Sequence, residues 1–216
     1  MRNAQNIQHS IFTAISYLNV LMNNYAHILK AAEKYMRVRK NDVHIPISFH
    51  YAMKLAESYP NADRDVVAAG IILHDIGWFS IDEDDIFKKG FQTENYLQSD
   101  VRYLHESEGV RLSAEVLRPL GYSEDFIKKV QTIIDGHDTR GFARSAEDEI
   151  VRDADKLWRF TVTGVSIASD WFKQTPSQYC ARLLTDVVPQ LHLPESIEMA
   201  KTDLVETEKM LCCDVI

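Results

Sequence analysis

The stretch that decides the fold is residues 66–78, VVAAGIILHDIGW, in which an uninterrupted apolar run ends in a histidine and an aspartate. A helix that is apolar on every side is buried on every side, so the segment predicts a central helix of an all-α core. An imidazole and a carboxylate at the buried end of such a helix are costly unless they have partners, and a divalent metal ion would pair with both. His74 and Asp75 are therefore candidate metal ligands.

The rest of the chain also favours helices. Apolar residues recur with a period near 3.6, and glycine and proline number only 8 and 6 in 216 residues. We expect one all-α domain, a helical bundle that spans residues 1–216. Its motif-bearing core covers about 40–160, with one long helix or two joined helices over 7–39 and C-terminal helices over 162–211 packed on it.

Local signals predict several helix ends. Pro46 is predicted to begin a helix that ends near Ser58, because the missing N–H of proline costs nothing in the first turn. Residues 61–63 predict the cap of the next helix, and Ser145 predicts the start of a later one. Residues 80–103 lose the helical spacing, so we expect a loop with short helical pieces there and a new helix from residue 104.

Charge and cysteine content narrow the partners and the compartment. With 24 basic and 32 acidic residues the net charge is −8, and no basic block is present, so neither a nucleic-acid polymer nor a membrane surface is expected as a partner. The cysteines are only three and two of them are adjacent, which favours a reducing compartment. The N-terminus lacks the layout of a signal peptide and no apolar run has the length of a membrane span. We expect a cytoplasmic protein.

Two histidines upstream compete as a further metal ligand. The helical face of His44 carries apolar and small residues, whereas the face of His50 carries Met53, Lys54 and Glu57 and is mostly polar. His44 is therefore predicted to point inward and to bind the metal, and His50 stays as the alternative.

A carboxylate downstream is suited to completing the site. Residues 149–160, EIVRDADKLWRF, carry an apolar stripe with Asp155 directly beside it, while Asp153 is a rival two residues earlier. The next residue, Lys156, is either a group that holds an anionic oxygen of a substrate or an ordinary surface lysine.

Two further histidines lie between these segments. Gly109 is one turn after His105, and since glycine in a helix costs about 1 kcal/mol against alanine, its presence indicates the close approach of another group. His137 follows an apolar stripe over 130–134 and is expected to be buried. Either histidine alone is typical of a packed core, but together with the other candidates the pair predicts a second cation or an anion-binding site.

The order histidine, histidine-aspartate, aspartate, formed here by His44, His74-Asp75 and Asp155, resembles the HD-domain superfamily of metal-dependent phosphohydrolases. The segment VVAAGIILHDIGW resembles the second motif of that family and IVRDADKLWRF its last, and the resemblance covers about residues 40–160. The remaining histidines, in HESEG and DGHD, resemble those of members with additional site histidines.

The resemblance implies hydrolysis of a phosphate ester of a nucleotide or another small phosphorylated metabolite. It implies one divalent cation on His44, His74, Asp75 and Asp155, with Asp75 orienting or deprotonating the attacking water. His105 and His137 would bind a second cation or the phosphate. The cofactor is then one or two ions of Fe, Mn, Co, Ni, Zn or Mg, since histidine and carboxylate ligands suit all of them.

Two other functions fit the same residues. Di-iron oxygenases such as myo-inositol oxygenase share the ligand order, and some family members are non-catalytic domains that sense a nucleotide. The retention of every ligand-type residue argues against a degraded regulatory domain. The amphipathic first helix and the helix over 195–211 could each bury an apolar face within the chain or across a homodimer.

Overall fold

A computed structural model describes residues 23–93 and 98–211, and these residues form helices and connecting turns without a strand. The predicted all-α class is therefore confirmed. The principal helices of the described part are α1 (Ala26–Ala32), α2 (Asn41–Ser58), α3 (Arg64–Leu73), α4 (Asp100–Leu117), α5 (Glu124–Ile134), α6 (Ala146–Leu157), α7 (Val162–Trp171), α8 (Pro176–Arg182) and α9 (Pro194–Leu211). None of the helices in these ranges combines the length and the apolar character needed to cross a bilayer.

Helix α3 lies at the centre of the core. The carboxylate of Asp63 accepts hydrogen bonds from the backbone N–H groups of the first turn, which caps the helix as predicted. Every residue from 66 to 73 is buried, and α3 packs against α2, α5 and α6. Gly70 admits this packing, because a Cβ there would lie 3.1 Å from the Ile133 side chain and 3.3 Å from that of Val151.

The predicted N-terminal helix over 7–39 is wrong in its last part, and residues 7–22 lie outside the described residues. Helix α1 ends at Ala32, a single 3-10 turn follows over Glu33–Tyr35, and the chain then turns. Arg39 and Lys40 have φ values of 51° and 56°, in the left-handed region, which ends any helix.

The predicted start of the next helix is also wrong. Helix α2 begins at Asn41, so Pro46 lies inside it rather than in its first turn, while the predicted end at Ser58 is confirmed. The proline cannot donate a hydrogen bond to the carbonyl of Asp42. Residue 42 is exposed, so a water molecule can bond to that carbonyl in place of the missing N–H, and the helix continues through Pro46.

The region over 80–103 agrees with the predicted loop of short helical pieces where it is described. It contains the end of a 3-10 segment over Ile76–Ser80, one turn at Glu83–Asp85 and a π-helix over Ile86–Phe91. Residues 94–97 lie outside the described part. Helix α4 begins at Asp100, four residues before its predicted start.

The last helix, α9, packs on α6 and is hydrogen-bonded to the α2 region. Helix α9 contacts α6, α7 and α8. Two tyrosines of the α2 region reach α9, since the hydroxyl of Tyr51 donates to Asp203 at 2.6 Å and that of Tyr59 donates to Glu195 at 2.8 Å. Ser145 caps α6 through its hydroxyl, as predicted.

Candidate metal centre

Six side chains from separate elements meet in the interior. His44 is on α2, His74 and Asp75 follow the last turn of α3, His105 is on α4, His137 is in the turn after α5 and Asp155 is on α6. None of the six is more than 4% exposed. The fold therefore brings together all the residues that the sequence marks as candidate ligands.

Asp75 is the centre of this cluster, and each of its carboxylate oxygens faces one pair of histidines. Oδ2 lies 3.3 Å from Nδ1 of His44 and 3.6 Å from Nε2 of His74. Oδ1 lies 3.6 Å from Nε2 of His105 and 3.5 Å from Nε2 of His137. Two groups of possible metal-ligand atoms result, each within 4.8 Å, and Asp75 belongs to both.

Asp155 contacts the first histidine pair from another direction. Its Oδ1 lies 2.9 Å from Nε2 of His44 and 3.2 Å from Nε2 of His74. It belongs to neither of the two compact groups around Asp75. Because it contacts both His44 and His74, Asp155 is the carboxylate that could complete a metal site on that side.

The two rival candidates lie elsewhere. His50 is half-buried on another face of α2, and its ring packs against Tyr51 at 5.5 Å between centroids. Asp153 is fully buried, and its carboxylate accepts hydrogen bonds from the backbone N–H groups of His192 at 3.1 Å and Leu193 at 2.8 Å. Asp153 therefore anchors the chain that leads into α9 rather than facing the cluster.

The imidazoles are oriented as metal-binding histidines are. Nδ1 of His74 lies 2.8 Å from the carbonyl of Ile71, and Nδ1 of His137 lies 3.0 Å from the carbonyl of Ile134. A carbonyl can only accept, so Nδ1 carries a hydrogen in both rings, and Nε2, which faces Asp75, is the nitrogen left for a metal. Hydrogen bonding of one ring nitrogen in this way fixes the tautomer for binding through the other.

A buried nitrogen without a partner also fits a cation. Nδ1 of His44, which faces Asp75, is shielded from solvent and has no hydrogen-bond partner among the described residues. Neutral imidazole nitrogen together with carboxylate oxygen is a donor set that suits Zn²⁺ and the other first-row divalent metals. The residues present therefore fit a divalent metal ion.

Two donors that hold Asp75 are absent from the sequence prediction. Oδ2 accepts a hydrogen bond from a guanidinium nitrogen of Arg39 at 2.9 Å, and Oδ1 accepts one from the indole N–H of Trp78 at 2.9 Å. The Trp78 ring also stacks on His105, with centroids 4.0 Å apart. Trp78 comes three residues after Asp75, which is a local signal, whereas nothing near Arg39 in the sequence indicates its role.

Glu106 is a third residue that sequence reasoning missed. Its buried carboxylate accepts hydrogen bonds from the backbone N–H groups of Asp138 and Thr139, at 2.8 and 2.9 Å, and from the Thr139 hydroxyl at 2.6 Å. These bonds hold the turn that carries His137. A carboxylate directly after a candidate histidine is the signal that could have indicated it.

The close approach predicted at Gly109 is confirmed. A Cβ at Gly109 would lie 2.9 Å from the Ile134 side chain. The facing residue is Gly77, where a Cβ would lie 1.8 Å from the carbonyl oxygen of His105 and 2.4 Å from the backbone nitrogen of Gly109. Because both positions are glycine, the backbone after the His74-Asp75 pair can lie directly against α4.

The charges of the cluster are strongly coupled. Burial alone would raise the pKa of Asp75, but the neighbouring Arg39 and His74 hold it well below its usual range. Burial lowers the pKa of His137, yet the hydrogen bond that its ring donates to Asp75 and the charge of the nearby Asp138 outweigh burial and raise the pKa to about 9. Burial and the adjacent His137 lower the pKa of His105 to about 3. Without a metal, Asp75 is thus ionised and lies beside a protonated His137 and a neutral His105.

A small cavity of about 20 Å³ adjoins the cluster. Its walls are Trp78, Gly90, Phe91, Arg102, Asp138, Lys156, Arg159 and Gln190. Lys156 is 7% exposed, so its interpretation as an ordinary surface lysine is wrong. Its ammonium donates to the carbonyl of Arg152 at 3.0 Å, and burial lowers its pKa. A larger groove of about 710 Å³ lies along α1 and the start of α2 and includes none of the six cluster residues.

A helical core with a buried cluster of histidines and aspartates defines a class of metal-binding α-helical domains. Comparison with protein families identifies the member, because the model of the HD domain matches residues 44–159, more than half of the chain. The chain therefore belongs to the HD-domain family, and all six cluster residues lie within the match. HD domains are commonly metal-dependent phosphohydrolases, and membership indicates a metal-dependent, hydrolase-type function. Searches of curated proteins and of solved structures returned no match.

Proposed function

We propose that the protein is a metal-dependent phosphohydrolase that cleaves a phosphate ester of a nucleotide or another small phosphorylated metabolite. The observation that carries the proposal is the position of Asp75, which presents one carboxylate oxygen to each histidine pair beside a cavity walled by Lys156. Family membership supports the same class of reaction.

In this proposal the cluster holds one or two divalent cations of Fe, Mn, Co, Ni, Zn or Mg. The residues for the first are His44, His74, Asp75 and Asp155, and those for the second are Asp75, His105 and His137. A divalent cation, when bound, supplies Lewis-acid polarisation of a phosphoryl oxygen and a nucleophile at neutral pH.

The protein side chains supply orientation and charge. Since Asp75 is held ionised, it is a weak proton acceptor, and we assign it to orienting the attacking water through a hydrogen bond. Lys156 uses one of its three N–H donors on the Arg152 carbonyl and has the capacity to donate to a phosphate oxygen that reaches the edge of the adjoining cavity.

The experiment is metal analysis combined with a phosphoester screen. We expect the purified protein to carry, or to take up from Mn, Co, Ni, Fe or Mg salts, one or two equivalents of metal and then to release phosphate from one class of ester. His44→Gln should lower both metal content and turnover, while His50→Gln, on the same helix outside the cluster, should retain both. Absence of metal, with no activity regained on adding these ions, would refute the proposal.

A di-iron oxygenase is the second candidate. The pair His105 and His137 faces the same carboxylate, Asp75, as the first histidine pair, which gives ligands for two iron ions. The same screen under nitrogen separates the two reactions. Phosphate release without O₂ supports hydrolysis, whereas turnover that requires O₂ and iron supports oxygenation. His74→Ala with undiminished binding of a nucleotide and no turnover in the parent protein would instead support a sensing domain.

A further inference from the structure

Arg39 is a buried cation whose only hydrogen-bonded partner within the described residues is the carboxylate at the centre of the cluster. The side chain is 6% exposed and donates to Asp75 Oδ2 at 2.9 Å. Its guanidinium lies over three aromatic rings, 4.6 Å from Trp78, 4.8 Å from Phe91 and 5.1 Å from Trp171. The rings come from three separate elements, so the fold encloses this charge on several sides.

The backbone that delivers Arg39 is strained. Arg39 and Lys40 are consecutive left-handed residues with a Cβ, a conformation that is unfavourable for each. Immediately afterwards the side-chain amide of Asn41 donates to the backbone carbonyl of Asp75 at 3.2 Å. A strained turn is thus fixed by two hydrogen bonds to the same residue, which ties the turn to the cluster.

We propose that Arg39 is a positioning residue that serves as the counter-cation of Asp75 in the metal-free protein and opposes metal binding at Oδ2. A buried carboxylate needs a positive partner, and a guanidinium carries its charge at every physiological pH. A divalent cation that binds the same oxygen is repelled by that fixed charge. Arg39 therefore stabilises the metal-free fold and weakens metal binding on the side of His44 and His74. The inference rests on the metal-binding part of the proposed function.

The opposition acts on one side of the cluster. Oδ1, which faces His105 and His137, accepts a hydrogen bond from the neutral indole of Trp78 and not from a guanidinium. Removing the charge of Arg39 should therefore strengthen the binding step that depends on His44 more than the step that depends on His137.

The test is a pair of measurements on the full chain with Arg39→Met, whose long apolar side chain suits the aromatic enclosure. Titration of the metal-free protein with Mn²⁺ should show the step that His44→Gln abolishes strengthened by at least about tenfold, because a unit positive charge beside the metal-binding oxygen is removed. Thermal unfolding of the metal-free variant should occur at a lower temperature than in the parent. The two effects have opposite signs, which a packing role alone does not produce.

Matched variants control the test. Arg39→Lys keeps the charge and should bind Mn²⁺ as weakly as the parent, and Arg37→Met, on an exposed residue two positions earlier, should change neither measurement. Arg39→Gln removes the charge but keeps a donor, and it serves if the methionine variant does not fold. It should also bind Mn²⁺ more tightly.

Unchanged or weaker Mn²⁺ binding in Arg39→Met and Arg39→Gln overturns the inference and leaves the proposed function standing. A parent protein that binds no Mn²⁺ at all overturns both. Stronger binding in these variants, together with a lower unfolding temperature without metal, supports the role of Arg39.

Discussion

Replacing Asp153 by alanine should destabilise the fold while leaving the metal-binding cluster intact. The carboxylate is fully buried and accepts the backbone N–H groups of His192 and Leu193, which begin the approach to α9. Alanine removes both acceptors. The N–H of buried Leu193 is then left without a partner, whereas exposed His192 can turn to water.

The magnitude follows from these two bonds. A hydrogen bond to a charged group contributes about 1.5–3 kcal/mol, and the bond of Leu193 is lost in full. The bond of His192 adds about 1 kcal/mol because water replaces it, so the free energy of unfolding should fall by about 2.5–4 kcal/mol. In a chain of this length that corresponds to a decrease in Tm of roughly 5–15 °C.

The assay is urea and thermal unfolding of the metal-free protein, with metal content measured beside it. Asp153→Asn, which keeps one acceptor, should lose about half as much stability as the alanine variant. Asp155→Ala is the matched comparison on the same helix and should lose metal instead. A loss of less than about 0.5 kcal/mol in Asp153→Ala would refute the anchoring role, since that is the range of neutral surface substitutions. Loss of metal in Asp153→Ala would make Asp153 a ligand.

Further predictions concern protons, packing and the indole. With its pKa raised to about 9 by its acidic neighbours, His137 stabilises the metal-free protein below its unfolded pKa of 6.5, and this contribution should be lost as the pH rises through 9. Metal binding at pH 7 should release about one proton, measurable by calorimetry in two buffers. Gly77→Ala should cost about 3 kcal/mol or more in unfolding experiments because of the clash with α4, whereas Gly141→Ala, with open space around it, should be nearly neutral. Trp78→Phe should weaken Mn²⁺ binding by about tenfold on the side of His137 while the protein stays folded.

The centre of the fold was readable from local pattern. The apolar run over 66–73 predicts a buried helix without any tertiary information, and Asp63 and Ser145 are caps because their side chains bond within their own first turns. The turn at Arg39 and Lys40 was not readable, since neither residue favours a left-handed backbone and the contact that holds the turn is with Asp75, 36 residues away. Local propensity therefore does not predict the backbone conformation where a hydrogen bond to a distant residue determines it.

The candidate site divides in the same way. The polarity of its helical face distinguishes His44 from His50, because that pattern reflects which side of α2 is buried. The sequence pattern distinguishes Asp155 from Asp153 less clearly. Both residues are buried, and the partner of Asp153 is the distant backbone at residues 192–193. Glu106 escaped notice for the same reason, because its acceptors face a turn some 32 residues further along the chain.

The contact between Gly77 and Gly109 has a mechanical consequence. The two backbones are in direct contact with no side chain between them. We therefore expect the segment after Asp75 and helix α4 to move together. Helix α4 also carries His105, and its Glu106 accepts hydrogen bonds from the turn that contains His137. The spacing between the two halves of the cluster is thus set by main-chain geometry. Amide hydrogens of the buried residues 76–78 should accordingly exchange among the slowest in the chain, on the timescale of global unfolding.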